Sequence, residues 1–169
     1  MKTVIIQASS RSAGNTFKTV TYLNKNNNFD VIDLATKQIG QFDYNYNNTN
    51  DDFLPLAEEI INNYDTIIFA TPVYWYAMSG ILKTFFDRIT DLLDYKKELG
   101  RKLRGKKMGM ISNSIHNDLK SGFEMPFVET ANYLSMEYLG DIHIWFTEDG
   151  REIHPDAIHK INTFSKIIG

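Results

Sequence analysis

The stretch Ser9-Ser10-Arg11-Ser12-Ala13-Gly14-Asn15-Thr16 gathers hydroxyls, a guanidinium, an amide and a glycine. It lies between an apolar run, Thr3-Val4-Ile5-Ile6, and a helical pattern that begins at Phe17. Backbone N–H groups at a helix start attract anions, and hydroxyl and amide side chains add donors. The stretch lacks the glycine triplet of a dinucleotide fingerprint, and no Gly-Lys-Ser/Thr follows as in a Walker A loop. What remains suits a terminal monophosphate ester, held by Ser9, Arg11, Gly14, Asn15 and Thr16. An ordinary strand-to-helix turn, in which Ser and Asn only cap the helix, accounts for the same residues.

A second stretch, Thr71 to Gly80, sets Tyr74, Trp75 and Tyr76 in a row behind Pro72 and Val73. A core accounts for one or two adjacent aromatics but strains to absorb three. Aromatic rings at the end of a strand make a platform for a flat heterocycle, each offset stack contributing roughly 0.5–1.5 kcal/mol. Met78 and Ser79 follow, and Ser79-Gly80 lets the next helix start close to a ligand. A hydrophobic patch for self-association explains the same row and is compatible with the platform. A third stretch, Asn113-Ser114-Ile115-His116-Asn117-Asp118, offers amides and hydroxyls suited to the edge of a polar ring, and these are also common loop residues.

These stretches follow successive apolar runs. Thr3–Gln7, Phe29–Leu34, Thr66–Ala70, Met108–Ser112 and Leu139–Phe146 read as strands, the third buried on both faces. In the last, Ile142, Ile144 and Phe146 alternate with Asp141, His143 and Trp145, as expected of an edge strand with one wetter face. Helical patterns cover Phe17–Leu23, Asp51 or Asp52 to Asn63, Ser79–Leu93, Phe123–Tyr138 with Pro126 in the first turn, and Pro155–Ile168. Ala35–Asn50 and Tyr95–Arg104 read as loop and solvated connection. Strands alternating with helices predict a parallel sheet between helical layers. Ligands bind such sheets outside the carboxyl ends of the strands, which is where all three stretches fall.

The composition excludes more than it selects. A net charge of −3 carries no signature of nucleic-acid binding. No cysteine is present, so disulfides, thiolate metal sites and cysteine nucleophiles are excluded. His154 and His159, five apart on one predicted helix, do not form a metal pair, and no metal site is expected. Arg88, next to Asp87 in mid-helix, reads as a structural ion pair or a dimer contact. Met1–Gln7 turns polar too soon for a signal peptide, and no apolar run reaches membrane-spanning length. The expectation is a soluble cytoplasmic protein without membrane insertion.

Ser9–Thr16 together with Thr71–Arg88 resembles the flavodoxin-like NAD(P)H-dependent FMN reductase and NAD(P)H:quinone oxidoreductase family. The second block is the more specific, and the strand–helix order extends the likeness over nearly the whole chain. The resemblance implies one FMN-binding domain over residues 1–169, an α/β three-layer sandwich. Its five-stranded parallel sheet would run in order 2-1-3-4-5 with helices on both faces. It implies that Ser9, Arg11, Gly14, Asn15 and Thr16 hold the FMN phosphate. Pro72, Val73, Tyr74, Trp75 and Tyr76 would lie along the isoalloxazine with Met78 and Ser79 near it, and Asn113, Ser114 and His116 would form the third flavin loop. Relatives often carry glycines in that loop, whereas none lies between Asn113 and Asp118 here. The implied activity passes hydride from NAD(P)H to bound FMN and then reduces a quinone, a flavin or another small acceptor. A flavodoxin-type electron carrier without pyridine-nucleotide activity is the alternative, but flavodoxins tend to be strongly acidic. Members commonly dimerise, so a homodimer is expected.

Overall fold

The computed structural model, which describes all 169 residues, gathers the apolar runs into five parallel strands. They are β1 (Thr3–Gln7), β2 (Asp30–Asp33), β3 (Thr66–Pro72), β4 (Lys107–Ser114) and β5 (Glu137–Trp145), in the order β2-β1-β3-β4-β5. The α-helices are α1 (Asn15–Leu23), α2 (Phe53–Asn63), α3 (Gly80–Asp94), α4 (Lys97–Arg101), α5 (Met125–Tyr133) and α6 (Pro155–Ile168). Side chains alternate across a strand, so each strand feeds two cores. Val4, Ile6 and Phe69 join Phe53, Ile60, Leu82 and Phe127 on the face covered by α2, α3 and α5. Ile5, Ile68 and Ile111 join Val20, Ala157, Ile161 and Phe164 on the face covered by α1 and α6. This is the expected three-layer sandwich. The α6 layer lies so close that a Cβ on Gly109 of β4 would stand 2.9 Å from Ile68 and 3.0 Å from Phe164. No helix is long and apolar enough to cross a membrane.

Several boundaries differ from the sequence reading. β4 runs on through Asn113 and Ser114, because its register with Pro72 of β3 and with Ile144 and Trp145 of β5 continues to those residues. The third loop therefore starts at Ile115. The helix expected over Phe123–Tyr138 is confined to Met125–Tyr133. Ser135 takes a left-handed φ of 57° and breaks it, and Glu137 already belongs to β5. The expected solvated connection after α3 contains α4 and buries Leu103. On β5, His143 and Trp145 are buried rather than wet: Trp145 stacks on His154 with Lys160 over its ring.

Arg88 of α3 forms the structural ion pair that its place in the sequence allowed, and it does so in the interior. Arg88 is 1% exposed. Its Nε donates to Asp91 at 2.8 Å, its Nη1 to Asp51 and, at 3.0 Å, to the Gly40 carbonyl, and its Nη2 to the Asn48 carbonyl at 3.0 Å. One guanidinium thus pins the irregular segment that precedes α2 against α3. Burial pushes the Asp51 carboxyl up, but hydrogen bonds from Arg88 and from the Phe53 and Gly40 N–H groups outweigh it and hold the carboxyl below its ordinary value.

Candidate functional site

The loops that leave β1, β3 and β4 meet at the carboxyl edge of the sheet, and the turn after β1 comes first. Ser9 is buried and its hydroxyl accepts from the Arg11 N–H at 3.3 Å. Gln7, the last residue of β1, donates from Nε2 to the Ser12 carbonyl at 2.9 Å and braces the turn from below. Gly14 stands at the N-cap of α1, and no side chain caps that helix. The capping role open to Ser and Asn in the sequence is therefore unused. The N–H groups of Ser12, Ala13, Asn15 and Thr16 donate to nothing within the chain. A Cβ on Gly14 would meet Arg11 at an ordinary 3.5 Å, so packing does not demand a glycine there. Its absence leaves the amide-lined face of the turn bare.

The aromatic stretch forms a hairpin-like turn after Val73. Val73 N–H extends the sheet by donating to the Asn113 carbonyl at 2.8 Å. Tyr74 and Ala77 then exchange backbone hydrogen bonds of 2.9 and 3.1 Å, closing a two-residue turn with Trp75 (φ 49°) and Tyr76 (φ 64°) at its centre. Two successive left-handed residues are the geometry that Asn-Gly usually supplies. An aromatic held there costs about 1–3 kcal/mol, and such strain clusters at functional sites. Trp75 is 93% exposed and Tyr76 68% exposed, so core packing does not impose the strain.

The row of aromatics is divided in space. The Tyr74 hydroxyl lies 2.8 Å from Ser10 Oγ and ties the aromatic turn to the turn after β1. Trp75 and Tyr76, with Val73, line one side of a cleft of about 380 Å³. Ser114, His116 and the segment Asp118–Lys120 line the other side, with Phe123 and His143. Lys120 lies beside Asp118 at 3.0 Å and holds that carboxyl below its ordinary value.

Some expected site residues do not enter the cleft. Met78 is buried in the core beneath α3. Ser79 is a structural staple: its hydroxyl accepts from the Leu82 N–H at 3.2 Å as the cap of α3 and donates to the Ala8 carbonyl at 2.7 Å. Pro72 is the last residue of β3. The side chain of Asn113 turns toward α1 and donates to Thr19 at 2.7 Å, leaving its buried Oδ1 without a partner.

One residue at the site escaped the sequence reading. His143 projects from β5, 7% exposed, between two serines of β4. Its Nδ1 lies 2.9 Å from Ser112 Oγ and its Nε2 2.9 Å from the His116 carbonyl. Burial pushes its pKa down, and the Lys160 charge adds to this against the His116 carbonyl and Asp118, which pull it up. The sequence placed it only in the Asp141, His143, Trp145 row of an alternating strand, with nothing to mark its partners.

Comparison with known proteins places this geometry. The sequence profile of the NADPH-dependent FMN reductase family matches residues 1–147. A Bacillus subtilis (strain 168) protein provisionally named an NAD(P)H-dependent FMN-containing oxidoreductase, YwqN, is 34% identical over 119 residues. That match takes in 60% of this chain and 62% of the relative's own length. Among solved structures, the Trp repressor binding protein of Bacillus subtilis superposes with a TM-score of 0.73 at 22% identity, covering 99% of this chain and 97% of that one. General stress protein 14 of Treponema denticola, solved in complex with FMN, superposes with a TM-score of 0.67 at 17% identity and full coverage of both chains. At such identities the likeness is one of fold, and the fold is flavodoxin-like.

Proposed function

Because the chain belongs to the NADPH-dependent FMN reductase family, we propose that it binds FMN without a covalent bond and acts as an NAD(P)H-dependent oxidoreductase on a small acceptor. The observation that carries this reading is the 2.8 Å contact between Ser10 and Tyr74. It ties the bare amide turn to the aromatic turn, so that an anion cradle would lie beside a flat-ring slot. A monophosphate joined to a planar heterocycle has that shape.

The residues present fit the group. Uncapped N–H groups at the start of α1, the Arg11 guanidinium and the Ser9 and Thr16 hydroxyls would hold the phosphate. Gly14, whose missing Cβ packing does not require, would let the phosphate approach the backbone. Val73, Trp75 and Tyr76 would flank the isoalloxazine, and Ser114 and His116 would face its polar edge. Tyr74 would stand at the junction. Pro72, Met78, Ser79 and Asn113 would act one step removed, by setting where β3, β4 and α3 end. When bound, FMN supplies the redox chemistry, accepting hydride from the nicotinamide and delivering reducing equivalents onward. The chain's own work is to orient the ring and to offer the exposed faces of Trp75 and Tyr76 to successive planar partners, a quinone or a second flavin among them.

We read residues 1–169 as one domain that pairs with a second copy of itself through the groove between α3 and α5. Its wall carries Phe86 and Ile89, and Met125 and Tyr133 stand 56% and 75% exposed on α5. A Tyr133→Glu variant that scatters light with the same mass as the parent would remove that interface.

The test of function is a flavin titration followed by anaerobic addition of NADH or NADPH. Bound FMN that bleaches promptly supports the reductase. Bound FMN that stays oxidised makes the protein an electron carrier, and no FMN binding at micromolar concentration removes both readings. The Ser9→Glu, Asn15→Asp double variant is expected to lose FMN through charge repulsion while it retains riboflavin, measured by fluorescence quenching.

A further inference from the structure

We propose that His143 is a positioning residue that sets the path of the loop after β4, and through it the fit of the flavin ring's polar edge; its ring-binding consequence rests on the FMN reading above. The imidazole comes from a different strand than the loop it holds. Ser112 of β4 and His143 of β5 are partners in the sheet register. The ring therefore reaches forward from β5 to the point where β4 ends.

Its tautomer follows from its partners. The His116 carbonyl can only accept, so the Nε2 that lies 2.9 Å from it carries the hydrogen. Nδ1 is then bare and accepts from the Ser112 hydroxyl at 2.9 Å. Ser114 closes the arrangement: its hydroxyl donates to the same His116 carbonyl at 2.5 Å and accepts from the His116 N–H at 3.1 Å. Two donors from neighbouring strands converge on one loop carbonyl, so the first turn after β4 is held at both its acceptor and its donor.

The loop needs such a device. It has no glycine from Asn113 to Asp118 and no regular structure over Ile115–Lys120, and its residues line the cleft opposite Trp75 and Tyr76. Ser114, His116 and His143 reach that cleft together. The imidazole is spent on the loop's own backbone, which makes it a support for the wall and not a group that moves protons in the cleft.

The experiment compares the parent with His143→Gln, His143→Phe and His143→Ala, each first checked for native circular dichroism. Hydrogen exchange of the ligand-free proteins reads the loop directly. His143→Phe is expected to speed exchange of the amides at residues 115–118, whereas His143→Gln, whose side-chain amide can still donate, leaves it near the parent's rate. With flavin, His143→Phe is expected to weaken FMN and riboflavin alike by about tenfold, the worth of one lost buried hydrogen bond, and to shift the midpoint potential. His143→Gln should stay within about threefold on both ligands. Should His143→Phe not fold, the smaller His143→Ala removes the same donor and should speed the same amides. Unchanged loop exchange in His143→Phe, or in His143→Ala where it substitutes, overturns the positioning role. So does a His143→Gln variant that falls as far as His143→Phe. A loss confined to FMN overturns the placement at the ring. If the parent binds no flavin at all, the FMN reading and the ring consequence both fall, while loop exchange still decides the positioning role.

Discussion

His143 is held below its ordinary pKa in the folded protein because burial, with the nearby Lys160 charge, outweighs the pull of the His116 carbonyl and Asp118. On unfolding it regains an ordinary pKa of 6.5. Below that pH the unfolded chain binds a proton that the folded chain resists, so stability is full above pH 6.5 and declines as the pH falls. The slope from this one group is at most about 1.4 kcal/mol per pH unit. Urea unfolding of the parent and of His143→Gln across pH 4.5–7.5 should show curves that diverge below the histidine's ordinary pKa. Parallel curves would mean that the imidazole is not held below its ordinary pKa. The sequence marked His143 only as part of an alternating edge strand. Its partners come from β4 and from a loop, and no local pattern within β5 announces them.

At the scale of elements, the aromatic turn and the α3 helix trade stability for position in opposite ways. Trp75 and Tyr76 sit strained in a turn that Asn-Gly would occupy without strain. The Trp75→Asn, Tyr76→Gly variant is expected to gain about 1–2 kcal/mol in urea unfolding. The same variant should bind flavin at least about tenfold more weakly, because two stacking faces are gone. A loss of stability would show that the exposed rings pack on something in the native state. Arg88 does the reverse. Replacing it by Met leaves Asp51 and Asp91 and the Gly40 and Asn48 carbonyls without their shared donor, at a cost of about 3–5 kcal/mol. Thermal or urea unfolding measures this, and a cost below about 1 kcal/mol would mean that the ion pairs are solvated. The helix itself was legible, since Ile81, Leu82, Phe85 and Ile89 follow its period. The burial of Arg88 was not, because its acceptors Asp51, Gly40 and Asn48 come from the irregular segment before α2, which has no period to read.

For the whole molecule, the site exists because β1 and β3 are neighbours while β2 lies outside them. The order in which strands are added to the sheet reverses there, and ligands of parallel sheets bind at such a switch. FMN would bind the folded chain only, so one hundred times its dissociation constant should stabilise the protein by about 2.7 kcal/mol. For a chain of this size that raises the melting temperature by roughly 5–10 °C. Scanning calorimetry with FMN and with riboflavin checks it, and no shift with FMN would contradict a site formed in the folded state. The sequence by itself determined that five strands alternate with helices and that three loops share the carboxyl edge. Those features depend on period and composition within a few residues of the chain. Only the tertiary structure decided which of the loop residues meet. It turned Tyr74 toward Ser10, put Met78 in the core, bent Asn113 toward Thr19 and brought His143 under His116. Such pairings join positions as many as 94 residues apart, and they are settled by sheet register and helix placement.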